Sequence, residues 1–134
     1  MFNIFKKKLV ILDTNFLLIP GELGIDIFSE IDRIIEEPYK LCVLSSTIEE
    51  LNKIMIKKGK KKEGFSAKLG YIMIKQKGLK VITTNNTYAD KDILELAKTK
   101  DILVATQDKE LKLELKKLNK SIIVLKQKKY LEIQ

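Results

Sequence analysis

The sequence predicts an α/β fold of three layers, with a mainly parallel central sheet of about five strands and helices on both faces. Two observations carry this. Short runs that are apolar on consecutive positions recur along the 134 residues, as expected of strands covered on both faces. Longer stretches with apolar residues at helical spacing separate those runs, and strand, helix, strand in repetition is the signature of parallel crossover units.

The first run is Leu9 to Leu12. Ile25, Phe28, Ile31, Ile34 and Ile35 then mark a helical stripe, and Leu41 to Leu44 forms the second run. Ile48, Leu51, Ile54 and Met55 give the next stripe, continued by Phe65, Leu69, Ile72 and Met73. Between these two lies Lys57-Lys58-Gly59-Lys60-Lys61-Lys62-Glu63-Gly64, polar and punctuated by glycine, a loop or frayed helix junction with exposed lysines. The third run is Leu79 to Thr83, followed by a stripe on Ile93, Leu94, Leu96 and Ala97. Ile102 to Ala105, a stripe on Leu111, Leu113, Leu115 and Leu118, and a last run from Ser121 to Leu125 complete the pattern. No internal repeat or long linker divides the chain, so residues 1–134 are expected to form a single domain.

Composition narrows the chemistry. There is no histidine, which excludes Ser-His-Asp and Cys-His catalysis, histidine acid-base chemistry and histidine-bound zinc. Any hydrolysis must rest on carboxylates, lysines, hydroxyls or metal-bound water. The only cysteine, Cys42, cannot form an internal disulfide, which suits a reducing compartment and points to the cytoplasm. The start, Met1 to Leu12, imitates a signal peptide, but Asp13 interrupts it with no small-residue cleavage site after it, so it reads as mature structure. No apolar stretch reaches the ~20 residues of a bilayer span.

The formal net charge is +8, with every basic residue a lysine except Arg33. Such a balance suits a phosphate-rich partner, although a chain rich in Lys, Ile and Glu also follows from the compositional bias of a host.

The acids fall in a pattern. Asp13 directly follows the first strand, Glu50 lies early in the helix after the second, Asp90 opens the helix after the third, and Asp108 follows the fourth. In an open parallel sheet these junctions share the carboxyl-end edge, where crevices form and ligands bind. Each acid also has a plain structural reading. Asp90 and Asp108 suit helix caps or first turns, Glu50 a solvated helix position, and Asp13 a strand end. Their recurrence at the same end of each unit favours convergence. Clustered carboxylates repel one another unless a cation neutralises them, and hard oxygen donors favour Mg²⁺ or Mn²⁺.

Four short strings at these junctions resemble the PIN-domain ribonuclease family: Asp13-Thr14-Asn15, Ile48-Glu49-Glu50-Leu51, Tyr88-Ala89-Asp90-Lys91-Asp92-Ile93-Leu94, and Val104-Ala105-Thr106-Gln107-Asp108-Lys109-Glu110-Leu111. Asn15 to Pro20, Gly24 to Phe28 and the tail Lys128-Lys129-Tyr130-Leu131 are most similar to the archaeal branch related to PIN nucleases of small-subunit ribosomal RNA processing. Toxin ribonucleases of toxin-antitoxin pairs are cousins of similar length. The resemblance implies that Asp13, Glu50, Asp90 and Asp108 form an acidic quartet holding one or two metal ions, supported by Asn15 and Thr106. The family pattern of acid then leucine selects Glu50 over Glu49. Its spacing to Ile93 and Ala97 favours Asp90, with Asp92 a candidate ligand of a second metal.

By resemblance, the activity is endonucleolytic hydrolysis of RNA by water bound to Mg²⁺ or Mn²⁺, in ribosomal or other RNA processing. Alternatives are a toxin ribonuclease with a separately encoded antitoxin, and a non-catalytic RNA-binding or ribosome-assembly module. A second copy of the chain is a further candidate partner, since many small PIN domains pair and Phe65 to Ile74 carries more apolar residues than one helix face needs, although burial in the core of the monomer explains that stretch equally well. Lys57 to Lys62 either hold the RNA backbone or are a solvated helix end. Tyr71, Tyr88 and Tyr130 either stack on bases or pack at the rim. Two phosphate-handling rivals are weaker. Asp13-Thr14-Asn15 lacks the second acid of haloacid-dehalogenase-like phosphatases, and Lys58-Gly59-Lys60-Lys61 lacks the frame of a P-loop.

Overall fold

A computed structural model describes residues 7–85 and 88–134; the reading of the first six residues as mature structure lies outside the described residues. The elements run β1 (Lys8–Leu12), α1 (Thr14–Leu17), α2 (Ile19–Leu23), α3 (Ile27–Ile34), β2 (Tyr39–Leu44), α4 (Ser45–Lys58) and α5 (Lys62–Gln76). They continue with β3 (Lys80–Ile82), α6 (Ala89–Thr99), β4 (Ile102–Ala105), α7 (Lys109–Lys117), β5 (Ile122–Lys126) and β6 (Tyr130–Ile133).

The sheet order is β3-β2-β1-β4-β5-β6. All neighbours pair in parallel except β5 and β6, which are antiparallel. The chain therefore steps outward from β1 through β2 to β3, then returns to lay β4 against the free side of β1. That reversal creates a switch point between β1 and β4, where the crossovers diverge to opposite faces and leave a crevice. Leu12 is paired with Ala105 there, so Asp13 and Thr106 leave the sheet side by side.

Alternating side chains divide the core. Val10, Leu12, Val43, Leu103, Ala105 and Ile123 point to the face carrying α1 to α5, and Ile11, Cys42, Leu44, Val104, Ile122 and Val124 to the face carrying α6 and α7. This is the expected three-layer α/β arrangement, with strands buried on both sides.

The structure differs from the sequence reading at three elements. The sheet has six strands rather than about five, because β6 folds back on β5. Its turn puts Gln127 and Lys128 at positive φ (54° and 53°), without the Asn-Gly or Asp-Gly pair that announces a hairpin. Between β1 and β2 the single expected stripe is preceded by two short helices. Pro20, in the first turn of α2, cannot extend α1, Gly24 at φ 68° ends α2, and the Asp26 carboxylate caps α3 by accepting from the Phe28 and Ser29 amides.

The third difference is the buried face of α5. Gly64, Ser66, Ala67, Gly70 and Ile74 are buried, whereas Phe65 is 56% and Ile72 38% exposed. The small residues decide the orientation through backbone proximity. A Cβ on Gly70 would lie 2.7 Å from the Leu17 carbonyl oxygen, and one on Gly21 would lie 2.6 Å from Ser66. Helices α1 and α2 approach α5 closely only because these positions are bare. Within the 57–64 segment only residues 59–61 lie outside the helices, since α4 runs to Lys58 with Gly59 as its cap and α5 already begins at Lys62. Among the described residues, no helix is long and apolar enough to cross a membrane.

Candidate active site

Asp13 leaves β1 at the switch point and is 6% exposed. Its Oδ1 accepts from the Thr14 amide at 2.8 Å, capping α1, and its Oδ2 accepts from the Thr106 hydroxyl at 2.7 Å. Burial pushes its pKa up to about 6 from the ordinary 3.8, opposed by the hydrogen bonds from Thr106 and Thr14 and reinforced by the negative charges of Glu50 and Asp108.

Glu50 reaches from α4 across to two other elements. Its Oε1 accepts from the Thr14 hydroxyl at 2.7 Å, and its Oε2 accepts from the Ala89 amide, at the first residue of α6, at 2.8 Å. Asp108 caps α7, its Oδ1 accepting from the amides of Glu110 and Leu111, while its own amide donates to the Thr106 hydroxyl at 3.1 Å. Thr106 therefore takes a hydrogen bond from one acidic residue's backbone and gives one to the other's carboxylate. Asp90 is exposed in the first turn of α6, its Oδ1 accepting from the Lys91 amide.

Asp13, Glu50, Asp90 and Asp108 line one cavity of about 240 Å³, together with Thr14, Asn15, Leu18 and Ile54. The Asn15 Oδ1 accepts from the Gln107 amide at 3.3 Å, so α1 holds the loop that carries Asp108. Glu49 is exposed and outside this cavity. Asp92 turns elsewhere: it is 4% exposed and accepts from the hydroxyls of Ser46 (2.7 Å) and Thr84 (2.6 Å), beside a broad groove between α6 and α7.

Two residues quoted in the motifs but given no role have one here. Thr14 joins the Asp13 loop to Glu50, and Gln107 ties the Asp108 loop to the sheet by accepting from the Leu125 amide at 2.8 Å. A polar residue beside each acid was the available signal.

The donor set suits a hard divalent cation in kind: carboxylate oxygens, with one acid already held toward its neutral form partly by two neighbouring negative charges. Among the described residues, no three acidic, histidine or cysteine side chains converge on one point in this arrangement. Closure around an ion therefore requires side-chain rotation. Asp90 is exposed and Asp108 half-buried, and these have the room for it.

The sequence matches a family described as PIN like domain over residues 10–128. The chain belongs to the PIN-like domain family. A relative named Ribonuclease VapC4, from Methanocaldococcus jannaschii, is 37% identical over 126 residues, covering 92% of this chain and 95% of its own length. Among solved structures, the PIN domain endonuclease Utp24 superposes with a TM-score of 0.75 at 23% identity, over 94% of this chain and 90% of its own. A domain of a functionally unknown protein from M. jannaschii superposes with a TM-score of 0.58 at 17% identity, over 89% of this chain and 91% of its own. At these identities the two structures establish a shared PIN-like fold.

Proposed function

We propose that this PIN-domain chain is an endoribonuclease that hydrolyses RNA phosphodiester bonds with Mg²⁺ or Mn²⁺ held by Asp13, Glu50, Asp90 and Asp108. One observation carries the reading: acids from four βα junctions, distant in sequence, line a single cavity at the switch point of the sheet. The substrate class is supported by the full-length relative named a ribonuclease and by the net charge of +8.

A divalent ion bound there would supply an activated water and stabilise charge developing on the phosphoryl group. The protein's part is positioning. Thr106 and Thr14 fix both oxygens of Asp13, and Thr14 with the Ala89 amide fixes both oxygens of Glu50, so these two carboxylates form the rigid half of the site. Asp108, capped into α7, and the exposed Asp90 form the adjustable half. Asn15 holds the Asp108 loop in register, and Leu18 and Ile54 supply apolar wall that limits water.

The test is cleavage of labelled single-stranded and structured RNA in Mn²⁺, Mg²⁺ or EDTA by the wild type, Asp13→Asn and Asp108→Asn. The reading expects metal-dependent cutting, lost in both variants while circular dichroism is retained. RNA binding without cutting under every condition would replace it with a non-catalytic binding module. Growth arrest on expression, relieved by a separately encoded antitoxin, would select a toxin role over RNA processing. The exposed Ile56, Phe65 and Ile72 on α4 and α5 are proposed to pack against a second copy, checked by light scattering. A buried free Cys42 fits a reducing, cytoplasmic setting.

A further inference from the structure

Helix α7 is divided by charge. Its buried positions are Leu111 and Leu115. At 100° per residue, Lys109, Lys112 and Lys116 fall within about 60° of one another on one flank, and Glu110, Glu114 and Lys117 fall on the other. The second flank lies toward the α6 groove, where Lys117 pairs with Glu114 at 3.2 Å. The charged residues of the first are all lysines. Among the described residues, none of Lys109, Lys112, Lys116 and Lys126 forms an ion pair; Lys57, Lys60, Lys61 and Lys62 of the α4–α5 junction form none either, but the α7 row begins directly after Asp108, a wall of the acidic cavity.

These lysines act on one another. Burial, then the charges of Lys116, Lys109 and Lys126, depress the Lys112 pKa, with Asp108 opposing them. Lys126, at the end of β5, shares the strand face of Ile122 and Val124, which cluster with Leu111 and Leu115 of α7, so it stands beside the same flank, and Asp108 of the cavity is within reach as well. Lys109 directly follows Asp108, the cap of α7 and a wall of that cavity. From Lys109 to Lys116 the helix rises about 10 Å, long enough to lie beside more than one consecutive phosphate of a strand.

We propose that Lys109, Lys112, Lys116 and Lys126 form a track that holds the RNA backbone on the α7 side of the cavity and leads it to Asp108. The inference rests on the ribonuclease reading and adds where the strand lies. It assigns backbone binding to α7 rather than to the lysines from Lys57 to Lys62. An RNA strand suits the track better than an acidic protein because the row of charges begins at the carboxylate cavity, where a phosphodiester must arrive. Lysine ammoniums without a bidentate fork grip phosphates as point charges and read no sequence, so binding by this row is salt-dependent and weakly selective.

The test is fluorescence anisotropy of a labelled single-stranded RNA in EDTA, so that binding is read without cleavage, from low to high salt. The wild type is compared with a track variant carrying Lys109→Gln, Lys112→Gln and Lys116→Gln, and with a junction variant carrying Lys57→Gln, Lys60→Gln and Lys61→Gln. Circular dichroism checks folding, and a track variant with Arg at the same three positions retains the charge. The expected result is a salt slope shallower by ~2 in the glutamine track variant, worth on the order of 100-fold in affinity at 0.1 M salt, with little change in the arginine or junction variants. A track variant that binds as the wild type does, including one that loses only an acidic protein partner, overturns the proposal. Equal losses in track and junction variants overturn it too, as does a wild type that binds no RNA. Track-dependent binding with no cleavage in any metal would sink the nuclease reading and leave the track standing; cleavage without track-dependent binding would do the reverse.

Discussion

Replacing Asp13 by asparagine is expected to make the metal-free protein more stable while abolishing its activity. The folded chain raises the Asp13 pKa from 3.8 to about 6, and a rise of about two units corresponds to ~3 kcal/mol of preference for the neutral form. Asparagine is neutral at every pH. It keeps the acceptor for the Thr14 amide, but its amide group faces a Thr106 hydroxyl that now donates to Asp13, and rearranging that bond costs about 1 kcal/mol. The net gain is about 1–2 kcal/mol at pH 7.5. The sign follows from linkage. Below pH 4 both folded and unfolded carboxyls are protonated and carry no penalty. Between about 4 and 6 only the unfolded group ionises, so wild-type stability falls as pH rises, and above 6 the penalty is constant. Urea denaturation in EDTA at pH 4 to 8 should show the advantage of the variant growing up to pH 6 and then levelling. Saturating Mn²⁺ should reverse the order by stabilising only the wild type, by ~2.7 kcal/mol at 100 times its dissociation constant. A variant less stable than the wild type at pH 7.5 in EDTA, or a difference that ignores pH, would refute the reasoning.

Metal affinity should fall as pH drops through about 6, because the proton on Asp13 competes with the ion; calorimetric titration with Mn²⁺ at pH 5, 6 and 7.5 measures it. Asp92→Ala should cost roughly 1–3 kcal/mol in denaturant melts, since it leaves the Ser46 and Thr84 hydroxyls without the buried acceptor they share, yet leave Mn²⁺ affinity within about twofold of wild type. Gly70→Ala should destabilise by about 1–3 kcal/mol despite the better helix propensity of alanine, because the new methyl would meet the Leu17 carbonyl; thermal melts read it directly.

The parts of this molecule legible in its sequence are those fixed by periodicity and by junction chemistry. Ile102 to Ala105 is apolar at every position and is a strand over that same range, because only a central parallel strand hides both faces. Asp13 and Asp108 stood out because each follows such a run, and the parallel topology brings their junctions together. What was illegible depends on contacts rather than residue type. Phe65 and Ile72 read as core, but the backbone approach licensed by Gly70 turned α5 so that small residues were buried and the large ones exposed. Hydrophobicity patterns weigh size and miss proximity. Strand β6 is hidden in the sequence because its turn uses Gln127 and Lys128, and the hydroxyls that hold Asp92 away from the acidic cavity, on Ser46 and Thr84, lie 46 and 8 residues from it in the chain. The Lys57 to Lys62 run drew attention as a block, while the lysines of α7 were dispersed in sequence and converge only through helical register.

The placement of β1 between β2 and β4 also has a temporal consequence during synthesis. Asp13 and Glu50 are made early, but the hydroxyl that orients Asp13 belongs to Thr106, 93 residues further along the chain, and Asp108 follows it. The emerging polypeptide can dock β2 and β3 on one side of β1 while its other side waits, with two of the four acids unmade or unplaced. Pairings this distant in sequence form slowly, so the arrival of β4 is expected to be a late event. A ribosome translating a nuclease is surrounded by RNA. Until Thr106 and Asp108 are made and β4 docks beside β1, the orienting hydroxyl and one wall of the acidic cavity are missing, so the cavity is expected to form only at that step.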